Sequence, residues 1–370
     1  MRFLLRTIFL WSLLLGVAWA DFKVGVILPL SGLESERGRI IRDFLLELNQ
    51  ELTWNQGLAL KLRFYDSKGH PAYLSLLVEE ALFDDVDLLI GPLIPQGAEE
   101  LVRKARDLEL PVIITSGEVN PIKYLKGPLG PVFRTGLSTR LAVKALYRCL
   151  KQKGIRHVGL LISTDAFGRE GERWLMAYAT ENAIKILKKS YFGVDDTDVS
   201  LQLRDLLSCE AVICWAPPGA SNMVARNLAR ENLKLPVYFS HVVAREGFLR
   251  KTPFLQGRPF VGVAFYSGRP LVNKVAYRVL KNFLLQHGYP RDPALAAYGD
   301  ALIFVWKGVL KGGFKHWVQG LESLGLVRGL TGLYFLSKDD HYGLLPGSVG
   351  VYFYRWSTFK AVCYPKEGLL

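Results

Sequence analysis

From Asp21 onward, short apolar runs alternate with longer amphipathic stretches, and the alternation is gone through twice before the chain changes character. A strand buried on both faces needs a continuous apolar run, and the crossover to the next parallel strand needs a helix with one apolar stripe. The pattern therefore restricts the fold to α/β and, because it restarts, to two units of one design. In the first series the apolar runs cover residues 24–28, 60–65, 87–90 and 111–115. Helices are predicted between them over 38–52, 71–83 and 97–108, the first carrying Ile40, Ile41, Phe44, Leu45 and Leu48 at helical spacing.

A turn-rich segment, 127–131, opens the second series. Its strands are predicted at 132–135, 157–162, 186–191, 211–215, 237–239 and 260–265, and its helices at 138–153, 168–182, 198–207 and 220–231. The last third breaks the alternation, with helices over 271–287, 293–310 and 315–324 and strands at 333–335 and 349–354. Helices that arrive this late are expected to return to the first lobe, which makes the chain cross between lobes several times. The expected architecture is two doubly wound, Rossmann-like lobes joined by a multi-strand hinge. Residues 21–134 and 268–345 are assigned to lobe 1, and residues 135–267 and 346–370 to lobe 2. A hinge between two lobes encloses a cleft. At 370 residues the chain exceeds what one core usually serves, in keeping with two domains.

The segment before Asp21 has a basic end with Arg2 and Arg6, an apolar middle over 8–17, and Ala18-Trp19-Ala20. That is the form of a cleavable signal peptide covering 1–20, and its apolar part is shorter than the roughly 20 residues that span a bilayer. No cysteine precedes Cys149, so acylation at the cleavage site is excluded, and the product is expected to be soluble and exported. The formal charge of +13 is spread over helical segments such as Arg103-Lys104-Ala105-Arg106, with no basic run interleaved with aromatics. Nucleic acid is accordingly not an expected partner. Of the four cysteines, Cys149, Cys209, Cys214 and Cys363, Cys214 sits in the apolar run 211–215 and Cys209 just before it, so a bridge between those two would need a tight turn. An oxidising compartment permits disulfides, but the spacing decides little, and all four are read as buried thiols.

In open parallel sheets, ligands bind beyond the carboxyl ends of the strands, where loops lead into helix N-termini suited to small anions. The candidates in those loops are Ser31, Arg37, Gln96, Thr115, Ser116 and Gly117 in the first lobe, and Phe167, Trp215, His241 and Tyr266 in the second. Each has a plainer alternative: the hydroxyls as caps or turn residues, Arg37 as a solvated charge, the two aromatics Phe167 and Trp215 as packing beneath their loops. Signatures of catalysis are missing, since there is no Gly-rich dinucleotide turn, no phosphate loop, no His-Glu-x-x-His and no Gly-x-Ser-x-Gly. No cofactor and no metal are expected, and the weight falls on binding without turnover.

Certain ordered segments add to this: 22–32, Tyr65-Asp66, Leu89-Ile90-Gly91-Pro92, Pro111 to Ser116, Phe133-Arg134-Thr135, Asp165-Ala166-Phe167-Gly168-Arg169-Glu170-Gly171 and Ala297-Tyr298-Gly299-Asp300. With these the chain resembles a type I periplasmic solute-binding protein, of the kind exemplified by the leucine/isoleucine/valine-binding proteins of ABC importers. The resemblance covers nearly the whole of the chain after residue 20. It implies a monomer that closes on a small polar or acidic molecule, of the amino-acid, amide or carboxylate class, and presents it to a membrane permease. Members that hold amino acids place a small hydroxyl residue after the third strand's Gly, where this chain has Ile94-Pro95-Gln96, and often another where it has Gly117-Glu118-Val119. The aromatic that covers the ligand from the second lobe is matched by Phe167, and Arg37 stands near a position where a ring is often found, which favours an acidic ligand. The alternative implied by the missing hydroxyls is an interaction or sensor protein on the same fold with a degraded cleft.

Overall fold

The computed structural model describes residues 22–56, 58, 60–117, 130–267 and 272–364; the predicted leader and the Glu118–Val119 turn lie outside these. The first series folds as β1 (Phe22–Leu28), α1 (Ser35–Gln56), β2 (Leu60–Asp66), α2 (Leu74–Phe83), β3 (Leu88–Ile90), α3 (Ala98–Asp107) and β4 (Val112–Ile114), and it also takes β5 (Val132–Arg134), the run read from sequence as opening the second series, which pairs with β4 instead. The five strands form one parallel sheet in the order β2-β1-β3-β4-β5. The second series gives α4 (Thr139–Gln152), β6 (His157–Ser163), α5 (Ala166–Ala179), β7 (Lys185–Phe192), α6 (Ser200–Asp205), β8 (Ala211–Trp215), α7 (Pro218–Arg230), β9 (Val237–Phe239), α8 (Glu246–Lys251) and β10 (Phe260–Val263). Its parallel strands lie in the order β7-β6-β8-β9-β10, the same permutation as in the first sheet. Each sheet thus reverses direction of winding between its first and third strands, and the two reversals supply matching crevices.

The remaining elements are α9 (Lys274–His287), α10 (Pro293–Gly312), α11 (Trp317–Glu322), β11 (Gly325–Arg328), β12 (Leu333–Leu336), β13 (Val349–Arg355) and β14 (Thr358–Cys363). Helices α9 and α10 pack on α1, so the late helices do return to the first unit, as the sequence pattern implied. β13 then adds antiparallel to β10 and β14 antiparallel to β13, completing a seven-stranded sheet. Among the described residues α10 is the one helix long and apolar enough to cross a membrane, and most of it is buried inside the fold as a core helix. Its Asp300 is fully buried and holds the β11–β12 connection by accepting from the amides of Leu330 and Thr331 and from the Tyr334 hydroxyl. Burial raises this carboxyl to about 6, against the opposing pull of those donors.

One reading of the cysteines is corrected. Cys149, on the buried face of α4, is joined to Cys363 at the end of β14 across 214 residues, while Cys209 and Cys214 are buried free thiols. Spacing in sequence could not show this, because the partner arrives only with the last strand of the second sheet.

The start of α5 shows how close packing is built from composition. Asp165 caps the helix by accepting from the Gly168 amide, and its other contact is the Ser163 hydroxyl. Gly168 lies against the Ser163 carbonyl, and a Cβ on Gly171 would fall 2.1 Å from the Trp215 ring, which is fully buried. Gly171→Ala is therefore expected to displace Trp215 and lower the unfolding free energy by about 1 to 3 kcal/mol. Urea denaturation checks this, and an unchanged midpoint would contradict the tight seating of α5.

Candidate functional site

Loops that leave the carboxyl ends of both sheets line one cavity of about 270 Å³. From the first unit come Glu34 and Arg37 at the start of α1, Leu93, Ile94 and Pro95 after β3, and Thr115, Ser116 and Gly117 after β4. The crossing after β5 supplies Gly136 and Leu137, and the first turns of α10 supply Pro293, Ala294 and Ala297. The second unit contributes Pro218 after β8, His241, Val242, Ala244 and Arg245 after β9, and Gly262, Val263 and Tyr266 at β10. The walls are mainly apolar, with a small number of polar groups at fixed positions, which is the usual make-up of a small-molecule site.

Among the residues singled out from sequence, Arg37, Thr115, Ser116, Gly117, His241 and Tyr266 meet at this cavity. The other four are placed elsewhere. Ser31 is exposed, and its hydroxyl donates to Asp66 at 2.6 Å. Asp66 also accepts from the amides of Leu30, Ser31 and Lys68, so it organises the β1–α1 loop. Burial raises the Asp66 carboxyl, but these hydrogen bonds outweigh it and the net shift is downward. Gln96 is exposed beside a small crevice with Ser67 and His70. Trp215 is core, and Phe167 stacks on it at 6.0 Å between ring centroids. Both rings also stand 6.0 Å from the His241 ring, so together they back the histidine and do not themselves line the cavity.

Arg37 is held in place by a two-point ion pair with Asp292, at 2.5 and 3.0 Å, with Glu34 3.6 Å away on the same helical turn. Asp292 is also the N-cap of α10, accepting from the Ala294 amide at 2.8 Å. Burial pushes its carboxyl up, but the Arg37 charge and hydrogen bonds, the Ala294 amide and the Arg245 charge together bring it below the ordinary value. The pair therefore fixes the entry of α10 against the start of α1 and presents Arg37 at the cavity wall. Arg37 and Arg245 also border an outer groove of about 450 Å³ that carries Phe248, Arg250, Lys251 and Arg291.

At the inner end, Thr115 is satisfied by the Pro92 carbonyl at 3.0 Å and the Tyr266 hydroxyl by the Ala244 carbonyl. By contrast, the Ser116 hydroxyl and both His241 ring nitrogens are buried with no hydrogen-bond partner among the described residues. Beneath them lies Arg134, only 1% exposed, which donates to the carbonyls of Gly117 at 2.6 Å and Gly136 at 3.2 Å and sits 5.5 Å over the Tyr342 ring. Burial, reinforced by the Arg134 charge, pushes the His241 imidazole down to about 3, so it is neutral at ordinary pH.

Sequence reasoning missed Arg245, Leu137 and the Pro293–Ala294 turn. Arg245 follows His241 by four residues but precedes a helix of six residues, too short to show a period.

A family profile described as periplasmic binding protein matches residues 21–359. No curated protein matches the chain in sequence. Among solved structures, an extracellular ligand-binding receptor from Rhodopseudomonas palustris HaA2 superposes with a TM-score of 0.76 at 19% identity, over 92% of this chain and 99% of that one. A solute-binding protein of an ABC transporter from R. palustris, in complex with benzoate, gives 0.71 at 17% identity over 93% and 96%. A leucine-binding protein from Thermotoga maritima MSB8 gives 0.72 at 15% identity over 92% and 97%.

Proposed function

Since the chain belongs to the periplasmic binding protein family, we propose that it is an exported solute-binding protein that captures a small polar or acidic molecule and presents it to an ABC importer. The observation that carries this reading is the cavity itself, into which both sheets send loops and where the Ser116 hydroxyl and the His241 ring nitrogens stand buried without a hydrogen-bond partner among the described residues. A buried polar group without a partner costs free energy, and a bound solute that supplies the partner recovers it. Ligand bound to one lobe favours the closed arrangement in proportion to the extra contacts the other lobe then makes. A permease that recognises the closed form completes the delivery. The solved relatives bound to benzoate or described as leucine-binding support a small acid or amino acid as cargo. The buried, built cavity favours this reading over a sensor with a degraded cleft, and the chain is expected to act as a monomer without turnover.

The test is thermal unfolding of the protein lacking residues 1–20 against amino acids, amides and carboxylates. One class is expected to raise Tm by several degrees, since saturation at a hundred times Kd stabilises by about 2.7 kcal/mol. Ala294→Trp, which fills the cavity from a partly exposed position, is expected to abolish the shift without lowering the ligand-free Tm. A flat response to the whole panel would refute solute capture.

A further inference from the structure

The chemistry of the cavity narrows the class of solute, an inference that rests on the solute-capture reading. An α-amino acid brings a carboxylate and an ammonium, and each needs an opposite partner once water is removed. Among the described residues the two carboxylates at this site are matched by two guanidinium groups: Arg37, which bonds Asp292 twice and stands 3.6 Å from Glu34, and Arg245, whose charge reaches Asp292. What remains at the inner end is donor-rich and positively biased. The Ser116 hydroxyl and the His241 ring are 96% and 91% buried, line the cavity and have no hydrogen-bond partner among the described residues. The charge of buried Arg134 reaches His241, so a group placed beside that ring feels a positive potential. Such a potential favours an anion and opposes an ammonium.

We propose that this cavity selects a monocarboxylate with an apolar body and no α-ammonium, its carboxylate accepting from the Ser116 hydroxyl and from a ring N–H of His241. The apolar body then lies against Leu93, Leu137, Val242 and Val263. His241 acts here as a hydrogen-bond donor, not as a cation. Among the described residues the charge that reaches it is that of Arg134, and the charged groups that share the cavity lining with it are Arg37, Arg245 and Glu34.

The experiment compares probes that share a body and differ only at the polar end: 4-methylpentanoate, 4-methylpentanamide and L-leucine, with benzoate and benzamide as a second series, titrated calorimetrically into the whole exported chain. Each carboxylate is expected to bind at least about tenfold more tightly than its amide, and 4-methylpentanoate at least tenfold more tightly than leucine. Ser116→Ala, which deletes a hydroxyl without a hydrogen-bond partner among the described residues, is expected to weaken carboxylate binding several-fold with no loss of ligand-free Tm. His241→Gln, which keeps a donor, is expected to retain more affinity than His241→Leu. Carboxylate affinity is expected to change by less than about twofold between pH 6 and 8, because neither partner titrates there.

Leucine binding as tightly as its deamino analogue would overturn the monocarboxylate assignment and leave solute capture standing. Affinity that falls tenfold from pH 6 to 8 would overturn the role of neutral His241. No binding by any probe, including leucine, would count against both readings.

Discussion

Replacing both Cys149 and Cys363 with serine is expected to lower the unfolding free energy by about 3 to 5 kcal/mol. The bridge closes a loop of 214 residues, and the loop-closure entropy it removes from the unfolded chain corresponds to about 5 kcal/mol at room temperature. Residual structure in the unfolded state reduces the figure, which sets the lower end of the range. The bridge also pins an edge: β14 pairs with β13, and its far end is tied to α4 by Cys363 and by the Gln152 side chain, which donates to the Tyr364 carbonyl at 3.2 Å. Guanidinium unfolding of the wild type and the double serine variant measures the loss. Thiol titration checks the connectivity, with two reactive thiols expected in the unfolded protein without reductant and four after reduction. Four before reduction would show that the bridge does not form.

Arg37→Met is expected to cost about 2 to 4 kcal/mol at neutral pH, because it leaves the Asp292 carboxylate at the start of α10 without its two-point partner. In the wild type the folded pKa of Asp292 lies below its unfolded value, so the pair contributes stability above about pH 3.9, and that contribution is lost as pH falls through the lower folded value. Without Arg37, burial acts on the carboxyl with only the Ala294 amide and Arg245 to oppose it, and its pKa moves up. A raised carboxyl takes up a proton on folding, so the variant gains relative stability as pH falls from 7 toward 4. The Tm difference between wild type and Arg37→Met is therefore expected to narrow on acidification, and Asp292→Asn in the same background to recover most of the loss. A difference that stays constant from pH 7 to 4 would mean that the lost free energy comes from packing and not from the stranded charge.

Where periodicity or a capping residue marks an element, sequence and structure agree. The stripe of Ile41, Phe44, Leu45 and Leu48 is the buried face of α1, and Ser138 caps α4 where the predicted helix begins. The runs at 211–215 and 237–239 are β8 and β9 to the residue. Binding positions were legible only as loops, because the topology puts every strand's carboxyl end at the cleft but does not orient side chains. Ser116 turns into the cavity beside Thr115, which turns away to Pro92; the two hydroxyls are equivalent in sequence and differ by one step of backbone. Trp215 closes an apolar run and belongs to it, buried by the approach of Gly171. Arg134 looked like the end of a strand, and nothing local announces that its charge is enclosed beneath the cavity floor.

The order of the elements has a consequence for how the molecule comes into being. The first sheet is complete at Arg134, yet α10, which covers it, is not made until five strands of the second sheet have been laid down. The second sheet in turn lacks β13 and β14 until the final residues, and Cys149 has no partner before Cys363 exists. A chain emerging from its N-terminus therefore carries two unfinished apolar surfaces at once, and neither half is a contiguous piece that can settle early. Contacts this distant in sequence form slowly and leave the unfinished faces open to association with other chains. The elements that complete the two units, α10 and the β13–β14 pair, are thus among the last parts of the chain to be made.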